Sequence, residues 1–525
     1  MSRTKSKRFF KTGLLPNWLN EKIAVPVILL IGVIARFATI TKASIWHDEG
    51  FTMMLIGRSP ADIWLGSGRD VHPPLYYELL HFWTNLFGRS ELAARSMSAV
   101  AGLATLFIGY LLIKRYFSKT TGYIALLILA IAPFLVRYSQ EARMYGVLGL
   151  FLIAGTYSLL RAIEDQKSKK WWIIYATCMA AGMYTHYFTV LALASHWLYV
   201  MSLESPLRWR INKSLWLSPQ WWLANIGIIV LWLPWLPSFY GQFSRGQGIS
   251  WIPKTTLETL PKNIWQNLTF TDGGQLPPAI FWLVPLMIII SALWTGWTMR
   301  RDKPAIKLLL LYTFVPLLVT IAVSVIKPLY QDRYLVFAAN GMYMVLAITM
   351  HHLIARHRTS GLAALALLIG ISGVGLVNVG RQASHTMAAV GNYVDQNYRS
   401  GDTIISGELY TYFDFSYYCD RCLDTRNLQK TSNQLELKIE QPPYTTLKLN
   451  TSGGRPNGYG ESALLYDRAN DIYVDNLASL QPASKRVWMV GKPGDKPYWK
   501  SLPSGWNELN RFTTNSSEVR LYQLP

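Results

Sequence analysis

An α-helical protein that crosses a membrane many times, followed by a small soluble α/β domain, is the fold class this chain predicts. Three observations predict it. Apolar stretches recur from residue 23 to about residue 377, each near the roughly 20 residues needed to cross a bilayer. Charged residues make up only 15% of the 525, against about 25% in an ordinary soluble protein. From about residue 380 the composition turns polar and rich in Gly, Pro, Asn and Tyr. The division expected is therefore a membrane domain over 1–379 and an extracytoplasmic α/β domain over 380–525.

The net charge of +21 invites a nucleic-acid reading, but the placement of the basic residues excludes it. They fall in short clusters between apolar runs: 5–11, Lys114-Arg115, 167–170, 208–213, 300–307 and 356–358. That is the positive-inside pattern of a membrane protein, and the partner it implies is the lipid bilayer. With the basic N-terminus cytoplasmic, the first span covers about 23–40 and reads as a retained anchor. Residues 48–94 are then outside and contain an amphipathic helix, ending near Phe87, that lies at the interface. The second and third spans cover about 96–113 and 122–136, and the fourth returns to the basic cluster at 167–170. A helical hairpin over 171–201 has its tip near His186 outside. Further spans end near residues 236, 300, 326 and 350, and the last, about 362–377, delivers the tail outside. This makes roughly eleven spans.

The polar motifs all lie on the side opposite the basic clusters. Trp46-His47-Asp48-Glu49 follows the first span, at the lip of the bilayer, where ionisable groups are costly and mark chemistry or transport. Neighbouring helical residues do not share a face, so one acid works in a cavity while the other holds structure; Asp48 is the first choice and Glu49 the second. Asp70-Val71-His72-Pro73-Pro74 places two prolines at an extended entry to a helix, and Asp70 and His72 are expected to face the same cavity. Tyr138-Ser139-Gln140-Glu141-Ala142-Arg143-Met144-Tyr145 enters the fourth span, and Asp332-Arg333-Tyr334 the tenth. A guanidinium at either place can grip a phosphate through two parallel hydrogen bonds; a structural Glu–Arg or Asp–Arg pair is the plainer alternative. His186 is either a structural interfacial residue or part of the same pocket. A divalent metal held by His47, Asp48, Glu49, His72 and His186 stays open, although no diagnostic ligand spacing is present.

Carboxylates near the surface with arginines around them suit a lipid-linked sugar phosphate. A carboxylate takes the proton of an attacking hydroxyl, and cations stabilise the departing phosphate. The ordered set Asp48-Glu49, Asp70-x-His72-Pro73-Pro74-Leu75-Tyr76-Tyr77, Tyr138 to Tyr145 and Asp332-Arg333-Tyr334-Leu335 resembles the dolichyl-phosphate-mannose-protein mannosyltransferase-like superfamily over about residues 20–350. This is the GT-C class of membrane glycosyltransferases, which includes the bacterial lipid A aminoarabinose transferases. The resemblance implies a GT-C bundle with interfacial helices in the first outer loop. It implies a catalytic Asp at Asp48, paired with Glu49, and substrate contacts from Asp70, His72, Glu141, Arg143, Tyr145, His186, Asp332 and Arg333. The donor it implies is a polyprenyl-phosphate-linked sugar, transferred with inversion to a hydroxyl of a lipid, glycan or protein outside the cytoplasm, with the enzyme in the inner (plasma) membrane.

Two other readings compete. A transporter or flippase of a lipid-linked substrate places its polar groups near the bilayer midplane in repeated halves, whereas these acids sit at one surface. A scaffold whose tail binds a partner leaves the acids unexplained. In the tail, β-like runs at 402–406, 463–466 and 486–491 alternate with Gly/Asn/Pro-rich segments, the pattern of a small α/β domain. Cys419 and Cys422 form a CxxC with too few ligands for a zinc site, leaving a local disulfide or two thiols. Cys178 reads as a packing residue.

Overall fold

The computed structural model describes residues 21–203, 215–245, 252–301, 303–381, 386–407, 411–419, 446–449, 473–480, 482, 484–494, 496–500 and 502–525. The basic clusters at 5–11 and 208–213, the strand expected at 463–466 and Cys422 lie outside these residues. In packing, the chain forms two compact units. One comprises the described residues up to Thr39 with Ser96–Arg381; the other comprises Ile40–Arg95 with the described residues after Gln382. The division differs from the expected cut at 379/380 because the first outer segment packs with the tail: Ser44 Oγ accepts from the Ala388 amide at 3.3 Å, and the Ile45 amide donates to the Tyr418 hydroxyl at 2.6 Å.

The helices follow the apolar runs. They are α1 (Glu21–Phe37), then α2 (His47–Leu55), α3 (Pro60–Arg69) and α4 (Leu75–Phe87) of the outer segment. Next come α5 (Glu91–Tyr116), α6 (Lys119–Ile131), α7 (Pro133–Ser139), α8 (Tyr145–Glu164), α9 (Lys169–Met183) and α10 (Thr189–Leu203). After these come α11 (Pro219–Trp232), α12 (Leu236–Arg245), α13 (Thr259–Thr269), α14 (Pro278–Met299), α15 (Ala305–Ile326), α16 (Val336–Arg356) and α17 (Arg358–Arg381). Among the described residues, seven helices are long and apolar enough to cross a membrane, and the bent pair α6–α7 makes an eighth. The other three expected spans fall on α1, α9 and α10, which are shorter, at 17, 15 and 15 residues.

In the helical unit, α16 is the central element, buried from Val336 to Gly341, and Gly341 lets Tyr312 and Thr313 of α15 approach closely. Outer helices turn large apolar side chains outward: Leu223, Ile226 and Ile229 on α11, and Leu283, Leu286 and Ile290 on α14. A helix apolar on its outer face is suited to lipid. At one end of this unit the basic residues are tied to two acids. Glu21 pairs with Lys114 and with Lys119 (3.6 Å), and Glu164 with Arg115 (2.8 Å) and Arg161 (3.3 Å). The start of α8 at Tyr145 is a helix length away from this cluster, so the motif ending there occupies the opposite end.

Pro133 explains the 57° break between α6 and α7. Proline has no N–H for the carbonyl four residues back, so Leu129 loses its helical donor. Arg36, buried on α1, supplies the substitute: its guanidinium donates to Leu129 O (3.4 Å), Ala130 O (3.1 Å) and Gly32 O (3.2 Å).

In the second unit, α4 buries Tyr76, Tyr77, Leu80 and Thr84 and exposes Leu79, Phe82, Leu86 and Phe87, the amphipathic helix expected there. The tail adds α18 (Met387–Asn397), β1 (Thr403–Ser406), α19 (Tyr412–Tyr418), β2 (Thr446–Leu449), β3 (Tyr473–Val474), β4 (Arg486–Gly491), α20 (Pro497–Lys500), β5 (Asn507–Thr513) and β6 (Glu518–Gln523). The sheet order is β3-β2-β1-β4-β6-β5; the first three contacts are parallel and the last two antiparallel. Strand side chains alternate between faces. Ile404, Trp488 and Val490 therefore join Val390, Val394 and Phe415 on one side, while Ile405, Val487 and Met489 join Tyr498 and Trp499 on the other. Asp402 locks the start of β1, accepting from Trp488 Nε1 (2.9 Å) and Arg486 Nε (3.0 Å). Cys419 is disulfide-bonded and buried.

Candidate active site

In the second unit, Trp46 is extended and α2 starts at His47, so both acids sit in a first turn, where the helix dipole favours negative charge. Their environments then diverge. Glu49 is fully buried and receives Arg95 Nε at 2.8 Å and Nη2 at 2.5 Å. Arg95 also donates to Ile40 O (2.8 Å), Ala43 O (2.7 Å) and Ser44 O (3.1 Å). All five donors of the guanidinium are thereby used, and the chain entering α2 is clamped. Glu49, expected as a second working acid, is enclosed in this clamp; Asp48, one position earlier, stays half-exposed. Asp70 caps the C-terminal end of α3, its amide donating to Gly66 O and Ser67 O at 3.1 Å each. His72 is half-buried in the turn before Pro73-Pro74 and α4.

In the helical unit the expected residues converge. Glu141 is buried and pairs with Arg137 at 2.7 Å, so a Glu–Arg pair of this motif runs back to Arg137. Gln140 holds the segment to the end of α1 by donating to Ala35 O (3.2 Å), Arg36 O (3.0 Å) and Thr39 Oγ1 (2.9 Å). Arg143 is buried, and its carbonyl accepts from Ser98 Oγ at 3.1 Å.

His186, buried at the tip between α9 and α10, stands among Tyr145 (6.4 Å between ring centres), Tyr334 (5.1 Å) and Phe188 (5.1 Å). Burial pushes its imidazole down to about 3, and the nearby charges of Arg143 and Arg333 push the same way. The ring is neutral at physiological pH. Its Nδ1 accepts from the Phe188 amide at 3.1 Å, which leaves Nε2 as the protonated nitrogen. Asp332 is held by Asn263 Nδ2 (2.8 Å) and by the Tyr330 hydroxyl. The guanidiniums of Arg143 and Arg333 both act on His186, and such groups can grip an anion through paired hydrogen bonds. Among the described residues no group of three or more His, Cys, Asp or Glu is gathered as a metal cage.

Sequence reasoning missed Arg36, Arg95 and Asn263. The first had a signal, as a lone arginine inside an apolar span. Arg95 and Asn263 had none, since their partners are 46 and 69 residues away.

The bundle, the helical outer segment and the sheet-bearing tail make up a fold of the GT-C type. Residues 71–237 match the family model described as Dolichyl-phosphate-mannose-protein mannosyltransferase. The fold resembles that of ArnT from Cupriavidus metallidurans in the apo state, with TM-score 0.63 and 14% identity over 95% of this chain and 97% of that one. ArnT bound to undecaprenyl phosphate gives TM-score 0.62 and 13% identity, over 96% and 98%. The Archaeoglobus fulgidus oligosaccharyltransferase gives 0.51 and 11%, over 75% and 61%. In sequence, 104 residues are 31% identical to YkcB of Bacillus subtilis (strain 168), a mannosyltransferase by name; the match spans 20% of this chain and only 14% of that protein. In sequence the chain is similar to the dolichyl-phosphate-mannose-protein mannosyltransferase family over residues 71–237, and in fold it is similar to ArnT over nearly its whole length.

Proposed function

We propose that this protein transfers a sugar from a polyprenyl-phosphate carrier to a hydroxyl acceptor on a lipid, glycan or protein, outside the cytoplasm. The observation that carries the reading is the pair Arg143 and Arg333 around the buried, neutral His186. A pair of guanidiniums there matches a phosphate head group whose lipid stays in the bilayer. The undecaprenyl phosphate bound to ArnT, a protein of similar fold, supports this choice of ligand.

In the proposed reaction the acceptor oxygen attacks the anomeric carbon from the face opposite the phosphate. The new carbon–oxygen bond forms as the bond to the phosphate oxygen breaks, so the configuration inverts. The leaving electron pair ends on the phosphate, where Arg143 and Arg333 neutralise it, and the hydroxyl proton passes to Asp48 as general base. Glu49 keeps α2 in place. Asp70, His72, Glu141, Tyr145, His186 and Asp332 are the further residues assigned to substrate binding in this reading. The chain lies in the plasma (inner) membrane with its N-terminus cytoplasmic and its tail extracytoplasmic.

The test is transfer from a purified polyprenyl-phosphate sugar to a hydroxyl acceptor by the full chain in detergent. Asp48→Asn is expected to lower turnover by at least about 100-fold, the usual size of a lost general base. Wild-type turnover in that variant sinks the assignment of the base. Proton-driven flux of the carrier without covalent transfer would make the protein a flippase.

A further inference from the structure

In the helical unit, the carboxylate of Asp332 is held by one oxygen only. Two donors, Asn263 Nδ2 at 2.8 Å and the Tyr330 hydroxyl, converge on the same atom, Oδ1. A carboxylate has room for about four donors over its two oxygens, and among the described residues none reaches Oδ2. The side chain is half-exposed and Oδ2 is not enclosed.

Asn263 is built to keep this arrangement. It is buried, at 5% exposed, on α13. A carboxylate only accepts, so the amide must turn its nitrogen toward Asp332. The amide oxygen is occupied on its other side: Asn267 Nδ2 donates to Asn263 Oδ1 at 3.4 Å and to Asn263 O at 2.8 Å. Helix α13 is in turn anchored to three neighbours. The Tyr343 hydroxyl of α16 donates to Asn267 O (2.5 Å), Trp265 Nε1 donates to Phe281 O of α14 (3.0 Å), and Asn378 Nδ2 of α17 donates to Thr269 O (2.8 Å). The donor therefore reaches Asp332 from a fixed base.

A tie between α13 and the loop after α15 needs one accepting oxygen, which a neutral amide supplies without the cost of desolvating a charge. The charge and the second oxygen exceed that need. Their place points to a ligand. Asp332 and Arg333 are neighbours on the single-turn 3-10 helix Asp332–Leu335. Tyr334 of the same turn meets the rings of His186 and Tyr145, at 5.1 and 6.4 Å between centres. In a lipid-linked donor the sugar is bonded directly to the phosphate, so a group next to a phosphate-gripping arginine meets the sugar.

We propose that Asp332 Oδ2 accepts a hydrogen bond from a hydroxyl of the donor sugar, and that Asn263 is the positioning residue that, with Tyr330, aims it. This rests on the transferase reading above and deepens it: the Asn263–Asp332 pair is what tells a sugar-bearing carrier from a bare one.

The test measures binding of two probes, undecaprenyl-phosphate mannose and undecaprenyl phosphate, to the full chain in detergent. Wild type is expected to bind the mannose-bearing carrier more tightly. Asn263→Leu is expected to weaken that carrier about tenfold, the usual share of a hydrogen bond to a charged group, and the bare carrier by less than about twofold. The exchanged variant Asn263→Asp/Asp332→Asn keeps a hydrogen bond between the two positions but moves the charge onto α13. It is expected to melt near wild type and still fail to prefer the sugar-bearing carrier, and it carries the comparison where Asn263→Leu unfolds. Equal losses for the two carriers in Asn263→Leu, or no loss for either, overturn the proposal. So does an exchanged variant that regains the preference, because the pair is then a structural tie. Wild type that binds both carriers alike removes the sugar contact and leaves the phosphate site standing; wild type that binds neither removes the transferase reading as well.

Discussion

Arg95 grips Glu49 through two hydrogen bonds, at 2.8 and 2.5 Å, where the two side chains are only 2% and 0% exposed. A pair so enclosed costs much to desolvate, and its value lies in what it orders. The remaining donors of Arg95 reach three carbonyls between Ile40 and Ser44, so the pair sets where α2 begins. Breaking one partner strands the other charge. Arg95→Met is therefore expected to destabilise the protein by about 3–5 kcal/mol. Adding Glu49→Leu to it is expected to recover a good part of that, read by thermal unfolding in detergent. A full-strength melt for Arg95→Met alone shows that Glu49 has another neutralising partner.

The two glycines Gly50 and Gly227 make a matched pair. Both lie inside helices, and alanine in an open helix position stabilises by roughly 0.5–1 kcal/mol. At Gly227 nothing lies within 4 Å of an added Cβ, so Gly227→Ala is expected to be neutral or slightly stabilising. At Gly50 the added methyl meets backbone at 2.6 Å, which cannot rotate away. Gly50→Ala is expected to cost about 1–3 kcal/mol of overpacking and to lower turnover with it. Equal melting temperatures for the two variants contradict the close packing of α2 on α19.

The spans and the motifs were legible because each has a local signature. Apolar length marks a membrane helix, and the prolines at 73–74 mark the start of α4. Strands β1 and β4 could be read from short apolar runs such as Thr403-Ile404-Ile405. What could not be read was pairing. Which of Asp48 and Glu49 holds structure depends on Arg95, 46 residues away, and Glu141 pairs back to Arg137 within its own motif. The run Tyr412-Phe413-Asp414-Phe415 carries no local sign of its partner; only the fold brings Phe413 against His47 and Phe51.

His186 supplies a pH prediction with a definite sign. Its folded-state pKa, about 3, lies below the unfolded value near 6.5. Between these values the unfolded chain binds more protons, so stability rises with pH across that window. On acidification from pH 7 the stability contributed by the neutral ring is lost progressively as pH drops below about 6.5. His186→Gln, which keeps a polar neutral group, is expected to flatten the acid limb of a melting-temperature profile between pH 6.5 and 4. The same slope in variant and wild type rules out a buried neutral imidazole.

Asp414 gives the opposite slope. Burial raises its carboxyl to about 7, above the unfolded value of about 3.9. Now the folded state binds more protons in the window, so stability falls as pH rises from about 4 to 7 and stays low beyond it. Asp414→Asn imitates the protonated acid. It is expected to melt with wild type at pH 4 and above it at pH 8, read by thermal unfolding in detergent. If the variant instead melts lower than wild type at pH 8, the ionised carboxylate is stabilised in the folded protein and burial does not dominate its titration.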